Sequence, residues 1–600
     1  MSTAPERARD RGTLATLLDR YGLERVHAAV AGAVLFGLAA RLYDLGGRVA
    51  HWDEGRVAYW ILDYTRTGNY EYDAIIHGPF YHHVNGALFG LLGPSDFSIR
   101  LAVALLGGLF PLVALLFRGR LRDLDVAALA ALFAVTPTLL YYTRFMRGDP
   151  IVAMGMFTAF ACLVRAVDTG RTRYVHAAAV AVALAFTAKE NALVYLITWV
   201  GATVLLLDHR LLATAFRAEG GPEGGDSARE PQAVVGTHVR RALGTVRRYW
   251  KTLALAAVEF LVVIVYFYAP RAGSRDGPGL RKAFRDPGTF VEMFPTVVEA
   301  ATVGAWQELW GTWVSGGHRG HAYLPYLGSF SKSLAYGAAG LCLLAIVGFL
   351  ADRYSDEGPS DLVSFAFYWG FVSVLGYPII TDITAPWATL HAVVPLAIPA
   401  AVGARVVVDW GLRAAASDRT LRAVVAGLVL LAAVGQLAAF GVVGVYADDQ
   451  AHGNELVQYA QPADDFSPVM DRLAAVASDH DGADIVLYGD FLVAGKGGTA
   501  PREPACAKWF NALPIPWYLA AADAETECAV NGTDLRETVA SERPPVVVGR
   551  PANESDLRAA LDGYVVRTYR LRVYESETRF FVREDLADGL PGSWEPVGAG

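Results

Sequence analysis

Cysteine is scarce in this sequence, with four residues in 600. Neither pair has a metal-ligand spacing, so cysteine does not mark a zinc site. Cys162 and Cys342 fall in apolar runs and read as inert packing residues. Cys506 and Cys528 lie in the C-terminal part, where a disulfide is open to them if that side is oxidising. A cleavable signal is missing as well. The stretch MSTAPERARDRG has no such pattern, and the apolar run from Val26 lacks a short core with an A-x-A ending, so it reads as a retained span. No tandem repeat is found. Inverted repeats and discontinuous spans are also lacking, which ranks a secondary transporter last. Nor is there a positive excess: the net charge is −8, which argues against a nucleic-acid partner.

What the chain has in abundance is apolar surface. AVILMFWYC residues make up 54%, against roughly 45–50% of globular chains on a comparable list. Most of the excess lies before residue 446. Charge divides at the same place. Residues 446–600 hold 26 acidic and 13 basic residues, a net of −13, which leaves +5 on residues 1–445. A basic membrane part with an acidic tail fits arginine-rich cytoplasmic loops and a tail facing bulk solvent. The acidic tail also suits high salt, and hence a halophilic source.

A span needs about 20 largely apolar residues. On that measure the sequence predicts about eleven, near 24–42, 97–117, 124–143, 150–168, 174–188, 191–207, 252–269, 331–350, 362–380, 389–408 and 421–445. Orientation follows arginine in the short loops. Arg7, Arg9, Arg11 and Arg20 precede the first span. Arg118, Arg120 and Arg122 follow the second, Arg171 and Arg173 the fourth, Arg240, Arg241, Arg247 and Arg248 the sixth, and Arg413 and Arg419 the tenth. All fall on one side if the N-terminus is cytoplasmic, and parity then sends the tail outside. Residues 271–285, with Arg271, Arg275, Arg281, Lys282 and Arg285, resist this rule, in a long loop that obeys it weakly or binds an anion.

Two domains are expected: a transmembrane domain over 1–445 and an extracytoplasmic α/β domain over 446–600. In the tail, 468–479 reads as a helix, Asp484–Gly489 and Pro545–Gly549 as strands and Glu554–Leu561 as a helix. Val565, Tyr569, Leu571 and Val573 suggest a hairpin with Arg579–Arg583. Residues 219–231 read as a low-complexity cytoplasmic linker.

Polar residues cluster at the outer ends of the expected spans. Ionisable groups at membrane depth are costly and usually functional. Asp53 and Glu54 are adjacent carboxylates beside His51. Either one serves as a general base, its pKa raised by its neighbour, or the two open a surface helix, where acids favour the N-terminus. His77, His82 and His83 flank a Gly78-Pro79-Phe80-Tyr81 turn, and either contact phosphate or a metal or sit at the interface beside Tyr81. Arg144 and Arg147, spaced one helical turn apart, suit bidentate phosphate binding or headgroup anchoring. Asp149 before Pro150 caps a helix, orients Arg147 or ligates a metal. In Lys189-Glu190 the lysine snorkels or binds a phosphate as a point charge. Trp306, Trp310 and Trp313 fit an interfacial helix.

The order of these pieces resembles the GT-C membrane glycosyltransferases. It runs from the acidic pair after span one to His77-Gly78-Pro79 and Ile99-Arg100-Leu101. Tyr141-Tyr142-Thr143-Arg144-Phe145-Met146-Arg147-Gly148-Asp149 and Ala188-Lys189-Glu190 follow, then Ala385-Pro386-Trp387 through Pro395. The resemblance is to the protein O-mannosyltransferase and aminoarabinose transferase type, and more closely to the archaeal flippase-activity-associated family of surface-protein glycosylation. It implies a mainly α, polytopic GT-C-like bundle with a C-terminal soluble α/β domain. It also implies a polyprenyl-phosphate sugar as donor, chemistry on the outer face, Asp53 as the catalytic carboxylate and Glu54 as its partner. Arg144, Arg147, Lys189 and His77 would hold the donor phosphate, supported by His51, Asp149 and Glu190. Two departures stand out: His77-Gly78-Pro79 replaces His-Pro-Pro or Lys-Pro-Pro, and Thr381-Asp382-Ile383-Thr384 lacks a lysine before the Pro-Trp.

The expected activity is therefore inverting transfer of a sugar from a polyprenyl- or dolichyl-phosphate donor to an acceptor in cell-surface glycan assembly. The alternative is a non-catalytic partner of a lipid-linked glycan flippase. Membrane lipids are partners in both. No cofactor is required, and a divalent metal is left open.

Overall fold

The computed structural model describes residues 24–73, 77–219, 231–274, 277–308, 310–311, 322–355, 359–381, 383–495, 502–573 and 576–597. Arg7, Arg9, Arg11, Arg20, Arg275, most of the 219–231 linker, Trp313 and Asp382 lie outside the described residues.

Eight helices among the described residues are long and apolar enough to cross a membrane: Arg25–Leu42, Asp96–Phe117, Gly148–Thr169, Val239–Tyr268, Tyr323–Arg353, Asp361–Ile380, Pro386–Ala416 and Thr420–Ala447. Two further expected spans are the shorter apolar helices Arg173–Ala188 and Ala192–Leu207. The expected span at 124–143 is cut in two, Asp123–Val135 and Pro137–Tyr142. The cause is local. Pro137 takes the first helical position and forces Thr136 into an extended conformation (φ −61°, ψ 122°), where a helix cannot continue.

The described residues form two compact units. The first comprises the chain up to Tyr43, Val103–Ala269 and Phe294–Tyr446. The second comprises Asp44–Ala102, Pro270–Met293 and the chain from Ala447.

In the first unit, residues 390–404 of the helix within Pro386–Ala416 are apolar on every face except at His391, and 78% of the most apolar window is buried. It crosses Tyr323–Arg353 at glycines. A Cβ on Gly348 would lie 1.9 Å from the Pro399 carbonyl oxygen, and one on Gly403 2.0 Å from that of Leu344. Small residues thus let two backbones touch where lipid supplies no hydrophobic drive. Arg41, fully buried, is satisfied without a carboxylate. Its Nε donates to Thr143 Oγ1 at 2.8 Å, and its other nitrogens to the carbonyls of Gly37, Phe133 and Ala134.

The second unit is built on a six-stranded sheet: β1 (Ile485–Tyr488), β2 (Thr526–Ala529), β3 (Val546–Gly549), β4 (Tyr564–Arg570), β5 (Glu577–Arg583) and β6 (Glu595–Pro596), in the order β2-β1-β3-β5-β4-β6. β1 pairs in parallel with β2 and β3, and the remaining pairs are antiparallel. Alternate residues feed two cores. Ile485 and Leu487 join Val469, Leu473 and Leu519 on one face, and Val486 and Tyr488 join Leu535, Val539 and Leu557 on the other. Burial on both faces explains the unbroken apolar run of β1 and β3. Cys506 and Cys528 form a disulfide that ties edge strand β2 to the loop before Trp509–Ala512.

The expected tail helices appear at Ser467–Ala477 and Glu554–Ala560, and the hairpin at β4–β5. Strand β2, helix Gly532–Glu542 and edge strand β6 were not expected.

Candidate functional site

In the second unit, Asp53 opens helix Trp52–Thr67, so the acidic pair does begin a helix. His51 is the N-cap: its Nδ1 accepts from the Asp53 amide at 2.9 Å, and Glu54 Oε2 accepts from the His51 amide at 3.1 Å. This reciprocal cap satisfies two orphan donors. Glu54 is fully buried and paired with Arg100, whose Nε and Nη2 reach Oε1 at 2.9 Å and Oε2 at 2.7 Å. Arg100 Nη1 also donates to the carbonyls of Leu45 and Arg48. The pair therefore braces the turn that leads into Asp53.

Asp53 has a different setting. Its side chain is 15% exposed, with Oδ2 3.7 Å from His51 Nδ1. It also lies within electrostatic reach of Arg572, from the segment after β4. The helix rests closely on the C-terminal part of the same unit, since a Cβ on Gly55 would meet that of Pro514 at 2.7 Å. His77 is buried in this unit with its ring 5.8 Å from that of Tyr81.

The first unit gathers two of the other expected residues, Arg147 and Lys189, around Asp149, at the N-terminal turn of Gly148–Thr169. Lys189 Nζ donates to its Oδ2 at 3.0 Å and Oδ1 at 3.2 Å, Arg147 Nε to Oδ2 at 3.0 Å, and Asn191 Nδ2 to Oδ1 at 2.9 Å. His391 Nε2 lies 3.5 Å from Oδ1, and its Nδ1 is 2.6 Å from the Tyr195 hydroxyl. Tyr377 stacks on the His391 ring with centroids 4.4 Å apart, and Arg147 lies 3.7 Å over the Trp387 ring. All these side chains are buried. Asn191 Oδ1, Tyr377 Oη and Trp387 Nε1 have no hydrogen-bond partner among the described residues. Buried polar atoms left this way usually serve water or a ligand.

The expected pair Arg144 and Arg147 is split. Residues 143–147 link two helices instead of forming successive turns of one. Arg144 donates to the carbonyls of Ala40, Arg41 and Tyr43 and lies 4.6 Å over the Tyr446 ring, tying down the end of Arg25–Leu42. Glu190 lines an apolar cavity of about 360 Å³ with Phe186, Phe260, Tyr268, Phe294 and Trp306.

Sequence reasoning missed His391, Asn191, Tyr195 and Tyr377. The available signal was a histidine inside an otherwise apolar span. Among the described residues, no group of three or more His, Cys, Asp or Glu is placed to hold a metal ion.

Residues 76–218 match the dolichyl-phosphate-mannose-protein mannosyltransferase family, and residues 466–584 match the Agl23 flippase-associated protein C-terminal domain. No curated protein matches the chain. Among solved structures, apo ArnT from Cupriavidus metallidurans is similar at 15% identity and a TM-score of 0.52, covering 94% of this chain and 100% of that one. The same protein bound to undecaprenyl phosphate gives 16% identity and a TM-score of 0.51, covering 94% and 99%. The archaeal oligosaccharyltransferase AglB from Archaeoglobus fulgidus follows at 13% identity and a TM-score of 0.47, covering 96% and 76%. The chain is thus a multi-pass membrane protein with a GT-C-type fold, in which residues 76–218 are similar to the dolichyl-phosphate-mannose-protein mannosyltransferase family and residues 466–584 to the Agl23 flippase-associated protein C-terminal domain.

Proposed function

We propose that this protein transfers a sugar from a polyprenyl-phosphate donor to an acceptor on the outer face of the membrane. One observation carries the reading: Arg147 and Lys189 converge on Asp149 in a buried cluster built where membrane helices begin and end. Cations fixed in this way stabilise a phosphate as it departs. The apolar cavity that Glu190 borders, one residue from Lys189, suits an isoprenoid chain. The solved ArnT complex with undecaprenyl phosphate supports the ligand class. In the reaction, Asp53 takes the proton of the acceptor nucleophile. The nucleophile bonds to the anomeric carbon, the carbon–oxygen bond to phosphate breaks, and polyprenyl phosphate leaves with the electron pair. Outer-face placement rests on the distribution of arginine in the loops.

The match to the Agl23 flippase-associated domain favours a second reading, in which the same residues hold a lipid-linked glycan without transferring it. Incubating the purified chain with labelled polyprenyl-phosphate sugars and candidate acceptors separates the two. Glycosylated product supports transfer. Binding without product, for every donor, leaves the second reading.

A further inference from the structure

Within the second unit, two arginines lie over one half-open aromatic ring, and a third holds the backbone of the same residue. Phe510 is 42% exposed and stacks on Trp52 with ring centroids 5.8 Å apart and planes at 25°. The Arg502 guanidinium lies 4.7 Å from the Phe510 centroid and that of Arg56 5.2 Å. Arg572 approaches from the backbone side. Its Nη2 donates to the Phe510 carbonyl at 3.4 Å and its Nη1 to that of Leu513 at 2.9 Å, and the Trp52 indole donates to the same Phe510 carbonyl at 2.9 Å. Trp52 immediately precedes Asp53.

We propose that this rim around Phe510 is a binding site for an acidic saccharide, its sugar face on the Phe510–Trp52 step and its carboxylate on the guanidinium groups of Arg56, Arg502 and Arg572. An exposed aromatic step offers a flat apolar surface to the C–H face of a pyranose. Guanidinium forks match a carboxylate bidentately. Arg572 is held by carbonyls, so one cation of the rim is fixed before a ligand arrives, which lowers the cost of binding. The same groups would also accept the phosphate of an anionic lipid. The saccharide is favoured because the rim combines a stacking surface with an arginine fixed by backbone carbonyls, whereas headgroup anchors extend along the membrane surface. Burial pushes the Arg572 guanidinium down to about 10, with Asp53 and Tyr459 opposing that shift, so it is charged at neutral pH.

The inference rests on the transferase reading for the identity of the bound sugar, but binding is measured without donor or turnover. Full-length protein in detergent is titrated with an oligoglucuronate and with a neutral gluco-oligosaccharide of equal length. The same protein is assayed for capture on vesicles containing 30% phosphatidylglycerol. The expected result is at least tenfold tighter binding of the oligoglucuronate, falling at least tenfold in Arg56→Gln/Arg502→Gln and in Phe510→Ala while the unfolding midpoint of the double variant is kept. Equal affinity for the neutral oligomer, or unaltered binding in the double variant, overturns the proposal. So does loss of vesicle capture with saccharide binding absent throughout, which makes the rim a membrane anchor. If the separate donor assay gives no product with any donor, the transferase reading falls, and oligoglucuronate binding leaves the site standing.

Discussion

The Arg100 guanidinium closes on both carboxylate oxygens of Glu54, at 2.9 and 2.7 Å, with neither side chain exposed. Two adjacent acids therefore have separate tasks. Glu54 braces the turn from Leu45 to His51 through Arg100, while Asp53 keeps solvent contact. Glu54→Gln strands a buried guanidinium and is expected to cost about 3–5 kcal/mol. Asp53→Asn removes a charge from a partly exposed position in the first turn and is expected to cost about 1 kcal/mol or less. Thermal unfolding of the detergent-solubilised variants compares them, and equal shifts in the midpoint would mean that Glu54 is no brace.

His82 supplies a pH test outside the apolar spans. Burial favours its neutral imidazole and brings the pKa from 6.5 down to about 4. The unfolded chain then binds the extra proton between those values, so stability is present above pH 6.5 and lost as pH falls toward 4. The loss is at most about 3 kcal/mol. His82→Phe is expected to flatten this part of the stability profile between pH 7.5 and 4.5. A variant that loses stability as steeply as the parent would assign the slope to other groups.

The tail is expected outside. A cysteine in place of Ser555, on helix Glu554–Ala560, should react with an impermeant maleimide in intact cells. Labelling only after lysis reverses the orientation and moves the proposed chemistry to the cytoplasmic face. The Cys506–Cys528 bridge agrees with an oxidising side. Closing a loop of this length is worth roughly 3 kcal/mol, so Cys528→Ser should lower the unfolding midpoint in the absence of reductant and make little difference in its presence.

Long apolar runs were legible because a span must satisfy its backbone internally and clothe it in hydrocarbon. The failure at 124–143 came from Pro137, which sits in the middle of an otherwise continuous run. In the tail, Val546–Gly549 was legible as a strand because burial on both faces leaves no polar alternation to blur it. Thr526–Ala529 hid because it is a short edge strand whose first two residues, Thr526 and Glu527, are polar and not buried. At the site, spacing alone placed Arg144 and Arg147 on one face, but the chain between them leaves the helix and sends them to different partners. His391 could not be paired with Asp149 from sequence, since only the packing of the helix that begins at Leu390 brings the two together.

The cluster around Asp149 should govern donor binding. Lys189→Gln and Arg147→Gln are each expected to weaken capture of a labelled polyprenyl-phosphate sugar tenfold or more, since a charged hydrogen bond is worth roughly 1.5–3 kcal/mol. Arg144→Gln loosens the end of Arg25–Leu42, so it should lower the unfolding midpoint with a smaller change in affinity for molecules that remain folded. Equal effects on affinity in all three variants would restore Arg144 to the donor site. Unchanged affinity in Lys189→Gln and Arg147→Gln would leave the cluster as a structural ion network.

Asp53 is the sharpest test of transfer. It stands at the first turn of Trp52–Thr67, partly exposed, with His51 on one side and the positive charge of Arg572 within reach. Asp53→Asn keeps the size of the side chain and leaves the backbone cap intact, because the amide that His51 accepts from is unaltered. Folding and donor capture should therefore survive. Transfer should fall by about 10²–10⁴-fold, the usual contribution of a general base, with the loss in turnover and little change in donor KM. Asp53→Glu should recover part of the rate if proton removal is the role, because it restores a carboxylate one methylene displaced. A variant that folds, captures donor and transfers at the parental rate would place the base elsewhere. A loss confined to donor capture would make Asp53 a binding residue, and would favour a protein that holds the lipid-linked glycan over one that transfers it.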